Sequence, residues 1–131
     1  MKIGILTSSR ADYGIYQPLL KKLKADARFK MEIIAFGMHL LKEQGNTIED
    51  IRKDDYPEIH LVGAMPKNDK IFDIAYGYGA LLSDFAHFWK QYNFDLIFAL
   101  GDRWEMSAAV QSSIPYELKI AHVHGGETTL G

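Results

Sequence analysis

The feature that most constrains the fold is an alternation of short apolar runs with segments of helical period. Five runs are apolar enough to be buried strands, and segments with three- and four-residue apolar spacing lie between them. This alternation is typical of βαβ units, in which consecutive strands are parallel. The predicted strands cover residues 2–7, 31–36, 59–62, 95–100 and 120–123.

Helices are predicted between these strands, at about residues 14–24, 40–44, 47–53, 71–89 and 104–113. Pro18 is expected in the first turn of the first helix, where a missing N–H costs no hydrogen bond. In the longest helix, close packing on a neighbour is the expected reason for Gly77 and Gly79, because glycine destabilises a helix interior. Its aromatic residues are predicted to lie in the core: Tyr76, Tyr78, Phe85, Phe88 and Trp89.

The order of these elements predicts an α/β fold. The commonest arrangement is a Rossmann-like parallel sheet of strand order 3-2-1-4-5, with right-handed crossovers and helices on both faces. A chain of 131 residues without repeats or linkers is expected to form a single domain, 1–131.

Composition excludes several classes of function. Lys and Arg total 15 against 17 acidic residues, and the longest basic run is the pair Lys21-Lys22, so no nucleic-acid partner is expected. Without cysteine the chain has no disulfide or thiolate site, which fits a cytoplasmic protein. No run is long enough for a signal peptide or a membrane span. The glycine fingerprint of dinucleotide binding is missing after the first strand, so a nicotinamide cofactor is not expected.

Ionisable and polar residues cluster at the carboxyl ends of four predicted strands. Because these ends meet at one edge of a parallel sheet, the side chains are expected to form one site. They are Ser8, Ser9, Arg10 and Asp12 after the first strand, Gly37, Met38 and His39 after the second, Asp102, Arg103 and Glu105 after the fourth, and His122, His124 and Glu127 at the fifth.

Each residue also has a plainer interpretation. Arg10 either contacts a phosphate or is solvated, and Asp12 and Asp102 either belong to the site or cap the helices that follow. His122 and His124 point to one face of a strand, so they are either metal ligands or, for His122, a core histidine. His39 could be structural or exposed, and His60 and His87 are taken as surface or core residues.

The ordered motifs resemble those of the hydrolysing UDP-N-acetylglucosamine 2-epimerases of sialic-acid-type sugar biosynthesis. The resemblance covers the whole chain and is carried by Ser9-Arg10-Ala11-Asp12-Tyr13-Gly14, Gly37-Met38-His39-Leu40, Gly45-Asn46-Thr47, Gly101-Asp102-Arg103 and His122-Val123-His124-Gly125-Gly126-Glu127-Thr128. It implies that the chain is the N-terminal half of a GT-B-like two-domain enzyme. The second, nucleotide-binding domain would be absent from this chain, which is expected to be inactive alone, and the full-length protein would be a homo-oligomer.

The resemblance further implies conversion of UDP-N-acetylglucosamine to N-acetylmannosamine and UDP, with no cofactor and no metal. The implied catalytic residues are Asp102, His124 and Glu127, and the implied substrate-binding residues are Arg10, Asp12, His39, Arg103 and His122. His124 departs from relatives that carry glutamate there, which leaves a UDP-N,N'-diacetylbacillosamine substrate open. The alternatives are a metal-dependent phosphoesterase using Asp102 and both histidines, or a non-catalytic nucleotide-sugar-binding domain.

Overall fold

The computed structural model describes residues 1–41, 47–66 and 68–123, which form a five-stranded sheet flanked by helices. The strands are β1 (Lys2–Thr7), β2 (Lys30–Ala35), β3 (Ile59–Leu61), β4 (Leu96–Leu100) and β5 (Ile120–Val123). Their spatial order is β3-β2-β1-β4-β5 and every pairing is parallel. The predicted α/β class and strand order are confirmed.

Helices cover both faces of the sheet. They are α1 (Arg10–Ala25), α2 (Thr47–Lys53), α3 (Ile71–Gln91) and α4 (Trp104–Ser113), with 3₁₀ turns at Gly37–Leu40 and Ile114–Tyr116. Alternate residues of a strand point to opposite faces, so Ile5 packs with α1 and α2 while Leu6 packs with α3 and α4. No helix in the described ranges is long and apolar enough to cross a membrane.

The first helix begins four residues earlier than predicted, at Arg10 instead of residue 14. Ser9 caps it, because the Ser9 hydroxyl accepts a hydrogen bond from the Asp12 N–H at 3.3 Å. Pro18 therefore lies in the helix interior, and its expected place in the first turn is wrong. The carbonyl that loses its partner belongs to exposed Gly14, where water can hydrogen-bond to it.

Close packing explains only one of the two glycines in α3. A Cβ at Gly77 would lie 3.2 Å from the Pro66 ring and 3.5 Å from Trp104, whereas no described atom comes within 4 Å of the same position at Gly79. The prediction that Tyr76 is a core aromatic is wrong, since 72% of this residue is exposed. The apolar stripe of α3 therefore extends beyond the face of the helix that packs on the rest of the protein, and Tyr76 lies on its exposed part.

Glu32 on β2 is a buried carboxylate with two nitrogen partners. His60 Nε2 lies 2.7 Å from Glu32 Oε1, and Lys2 Nζ lies 3.4 Å from the other Glu32 oxygen. Buried charges need such partners. His60 is therefore a core residue, while His87 is exposed.

Candidate active site at the carboxyl edge of the sheet

The loops that follow β1 and β2 are hydrogen-bonded to each other at the carboxyl edge. The Phe36 N–H donates to the Thr7 carbonyl at 3.1 Å, and the Met38 N–H donates to the Ser8 carbonyl at 2.8 Å. Gly37 has a φ of +64°, and a Cβ there would lie 3.0 Å from the Ser8 carbonyl oxygen. Only glycine combines that backbone conformation with so close an approach.

Asp12 fixes the turn at the end of β1. Its Oδ2 accepts the Ser8 N–H at 2.9 Å and the Ser8 hydroxyl at 2.8 Å, and its Oδ1 accepts the Thr7 hydroxyl. Only 6% of Asp12 is exposed. Since Ser9 is the helix cap, Asp12 instead organises the loop from within.

His39 is buried behind this loop and hydrogen-bonded at both ring nitrogens. Its Nε2 lies 2.8 Å from Thr7 Oγ1 and its Nδ1 lies 2.9 Å from Thr47 Oγ1, while the ring lies perpendicular to the Tyr13 ring, with 6.4 Å between the two centroids. Burial lowers the pKa of His39 below its ordinary value of 6.5, and the charges of Asp12 and Asp50 oppose that shift. The imidazole is therefore neutral at neutral pH. Of the two plainer interpretations of His39, structural or exposed, the structure shows the buried, structural one.

Arg10 lies at the start of α1 and forms an ion pair with α2. Its guanidinium lies 3.1 Å from Asp50 Oδ2, and both side chains are substantially exposed. Tyr13, on the same helix, donates its hydroxyl to Asp54. The two helices are thus joined beside the carboxyl edge, with Arg10 on the surface.

The loop after β4 differs from the loops after β1 and β2 because its charged side chains are exposed. Gly101 turns the chain with a φ of +82° and donates its N–H to the Val123 carbonyl at 2.9 Å. Asp102 and Arg103 follow on the surface, and α4 begins without a side-chain cap, so Asp102 does not cap it. Arg103 donates to both carboxylate oxygens of buried Glu105, at 3.1 and 3.0 Å.

Asp102 and His122 lie together in a small cavity of about 260 Å³ beside α4. His122 Nε2 lies 2.6 Å from the Gly101 carbonyl oxygen, which can only accept, so Nε2 carries a proton. His122 is exposed, which rules out the core interpretation. A second cavity of about 440 Å³ is lined by Arg103, Trp104 and Glu105 together with residues of the loops after β2 and β3.

The predicted site residues therefore form separate groups. Asp12 and His39 are joined through Thr7, Asp102 and His122 share a cavity, and Arg10 and Arg103 each hold a carboxylate. His124 and Glu127 lie outside the described residues.

Three residues of this edge were not given a role from the sequence: Thr7, Thr47 and Glu105. Thr7 ends a strand, and that position does not reveal its distant partner His39. Glu105 was placed at the edge without a partner, although Arg103 lies only two residues away. The signal for Thr47 was the Gly45-Asn46-Thr47 motif.

The described part of the chain contains no group of three or more acidic or histidine side chains that could hold a metal ion. The phosphoesterase hypothesis also needed His124, which is outside that part. It stays untested.

A family model and two curated proteins place this chain in one family. The family model for UDP-N-acetylglucosamine 2-epimerase matches residues 21–131. The chain is 31% identical over 129 residues to polysialic acid biosynthesis protein P7 of Escherichia coli, which covers 98% of this chain and 33% of that protein. It is 32% identical over 126 residues to UDP-N,N'-diacetylbacillosamine 2-epimerase (hydrolyzing) of Legionella pneumophila, which covers 96% of this chain and 33% of the relative.

A solved structure shows the same fold. The crystal structure of UDP-GlcNAc 2-epimerase from Neisseria meningitidis bound to UDP-GlcNAc superposes with a TM-score of 0.75 at 14% identity, over 100% of this chain and 34% of that one. This chain spans about a third of the length of the curated relatives that it matches. From the family match and these likenesses, we conclude that the chain belongs to the UDP-N-acetylglucosamine 2-epimerase family.

Proposed function

We propose that the protein containing this chain catalyses the hydrolysing 2-epimerisation of UDP-N-acetylglucosamine. The observation that carries this proposal is the exposed pair Asp102 and His122, in one cavity at the carboxyl end of β4 and β5. β4 lies beside β1, where the strand order reverses, and ligands of open α/β sheets bind at that place. Membership of the family indicates which reaction Asp102 and His122 would take part in.

The reaction has two steps with different demands. In the first, a base removes the proton at C2 while the C1–O bond breaks and UDP leaves with the bonding electrons. In the second, water adds across the double bond of the glycal, with hydroxyl at C1 and hydrogen at C2 on the opposite face, giving N-acetylmannosamine. A positioned acid/base and cations on the leaving diphosphate are what these steps require.

We assign these roles to the residues of the carboxyl edge. Asp102 is the first choice for acid/base chemistry, with His124 and Glu127 as further catalytic residues. Arg10 and Arg103 present exposed guanidinium groups that suit a diphosphate, and His122 lies on the sugar side. Asp12 and His39, which the resemblance implied as substrate-binding residues, are buried beneath these side chains, so we propose that they serve the substrate-binding edge by holding its loops in place.

A second candidate substrate is UDP-N,N'-diacetylbacillosamine. The Legionella pneumophila relative carries the name of that activity, and the chemistry at C1 and C2 would be the same. We further propose a second, nucleotide-binding domain in the complete protein, a homo-oligomeric assembly, a cytoplasmic location, and no cofactor or metal. These proposals rest on the family.

The test is a product analysis with the complete protein that contains this chain. Each of the two UDP-sugars is incubated separately, and free UDP and the released sugar are identified by proton NMR. We expect free UDP with N-acetylmannosamine from UDP-N-acetylglucosamine. A UDP-linked mannosamine product would overturn the hydrolysing assignment. Turnover of UDP-N,N'-diacetylbacillosamine alone would show that this sugar, and not UDP-N-acetylglucosamine, is the substrate. No turnover of either UDP-sugar would refute the proposal.

A further inference from the structure

Four buried side chains form a continuous hydrogen-bonded chain under the β1 and β2 side of the site. Asp12 bonds to Thr7, Thr7 to His39 and His39 to Thr47, and these residues are between 0% and 6% exposed. They come from the first turn of α1, the end of β1, the 3₁₀ turn after β2 and the first residue of α2. Polar groups this deeply buried must find their partners within the protein.

The direction of each hydrogen bond follows from the number of protons available. The Ser8 N–H is a fixed donor to the Asp12 carboxylate, which accepts at both oxygens. Thr7 has one hydroxyl proton, and its described polar neighbours are Asp12 Oδ1, the Ser9 carbonyl at 3.4 Å and His39 Nε2 at 2.8 Å. The contact with Asp12 Oδ1 needs that proton because a carboxylate oxygen can only accept, whereas an imidazole nitrogen can also donate. The Thr7 proton is therefore donated to Asp12.

The tautomer of His39 follows in turn. With its proton given to Asp12, Thr7 Oγ1 can only accept from His39, so Nε2 must carry a proton. Burial disfavours the imidazolium and lowers the pKa of His39, so Nδ1 keeps its lone pair. The Thr47 hydroxyl, 2.9 Å from Nδ1, is then the donor.

We propose that Asp12, Thr7 and Thr47 are positioning residues that hold His39 as a neutral imidazole protonated at Nε2. This arrangement joins the end of β1, the turn after β2 and the start of α2 into one unit. The same helix α2 carries Asp50, the partner of Arg10, so the unit also sets where Arg10 is held. The assignment of the His39 tautomer does not depend on which reaction the protein catalyses, whereas the expected effect on turnover rests on the proposed function.

The tautomer is tested by long-range ¹H–¹⁵N correlation spectra at neutral pH of the complete protein with ¹⁵N-labelled histidine. The His39 signals are assigned in the wild type from the contact of its ring with Tyr13, and their loss in His39→Gln provides a check. We expect a protonated Nε2 and an unprotonated Nδ1 in the wild type. A wild-type His39 protonated at Nδ1, or at both nitrogens, would overturn the proposal even if every variant failed to fold.

Matched threonine variants test which partner sets the tautomer. Thr7→Val removes the acceptor of the Nε2 proton, and because the Thr47 hydroxyl can accept as well as donate, the population should shift towards Nδ1–H. Thr7→Ser keeps the hydroxyl and should keep the wild-type tautomer, as should Thr47→Val, which leaves the Thr7 acceptor in place. A shift in Thr47→Val but not in Thr7→Val would contradict the proposed donation from Nε2 to Thr7.

Turnover supplies the second readout. Loss of one positioning hydrogen bond in Thr7→Val should raise KM for the UDP-sugar about tenfold, with little change in kcat, and Thr7→Ser should restore it. A normal KM in a Thr7→Val protein with an altered tautomer would refute the positioning role. A wild type that turns over no UDP-sugar would refute the proposed function and leave the tautomer assignment intact.

Discussion

The two sides of the carboxyl edge handle polar groups in opposite ways. On the β1 and β2 side, Asp12 and His39 are almost completely buried and bonded to other protein groups. On the β4 and β5 side, Asp102 and His122 are exposed in a cavity. The first arrangement stabilises loop positions, and the second leaves functional groups accessible to a ligand.

This difference predicts that substitutions on the β1 and β2 side mainly lower stability, whereas substitutions on the β4 and β5 side mainly lower activity. Removing one partner of a buried polar group leaves the other unsatisfied and costs folding free energy. Changing an exposed side chain away from such features usually alters stability by no more than about 0.5 kcal/mol.

The largest expected effect is on turnover in Asp102→Asn. If Asp102 has its proposed acid/base role, its loss should lower kcat by about a thousandfold, and the melting temperature should stay that of the wild type because Asp102 is exposed. Steady-state UDP release and thermal unfolding of the same preparation measure both. Asp26→Asn, the same chemical change on a half-buried residue that follows α1, is the matched control and should leave kcat unchanged. A large loss of stability in Asp102→Asn would show that the exposed residues of the β4 and β5 side also stabilise the fold, against the expected difference between the two sides.

The next effect is on stability in Asp12→Ala. The substitution leaves the buried Ser8 N–H and the Thr7 hydroxyl without their acceptor, so the free energy of unfolding should fall by about 3 kcal/mol. Urea denaturation measures this change, with Asp102→Ala as the counterpart from the exposed side. Equal effects of the two substitutions would mean that burial does not distinguish the sides.

A third, smaller effect concerns pH. Because the pKa of His39 is lower in the folded than in the unfolded protein, the unfolded state takes up the proton first as pH falls below about 6.5. His39 thus lowers stability with falling pH, by at most about 1.4 kcal/mol per pH unit. Comparing urea denaturation of the wild type and His39→Gln between neutral pH and pH about 5 isolates this contribution. An unchanged pH slope in the variant would contradict the assignment of a neutral buried imidazole.

The smallest effect is expected for the surface pair of Arg10 and Asp50. Because both side chains are substantially exposed, Asp50→Asn should change the free energy of unfolding by about 0.5 kcal/mol or less. Chemical denaturation at low and high salt measures it. A loss similar to that of Asp12→Ala would show that the start of α2 depends on this pair more than on Thr47.

The sequence was sufficient to predict the sheet, because buried parallel strands are continuous apolar runs and crossovers have a fixed hand. The start of α1 was missed, because Ser9 and Asp12 are both good caps and only their three-dimensional placement shows that Asp12 turns inward. That Thr7 and Thr47 meet at the two nitrogens of His39 could not be predicted, because segments far apart in the chain come together there. The types of residue that follow the strands were sufficient to predict where polar side chains gather, but not which of these side chains are buried and which are exposed.

We propose that the carboxyl edge serves an elimination followed by hydration at C1 and C2 of a UDP-sugar. Incubating the complete protein with UDP-N-acetylglucosamine in deuterated water, and following the products by proton NMR, tests this proposal. We expect free UDP together with N-acetylmannosamine that carries deuterium at C2. N-acetylmannosamine that retains the original C2 hydrogen would contradict this proposal.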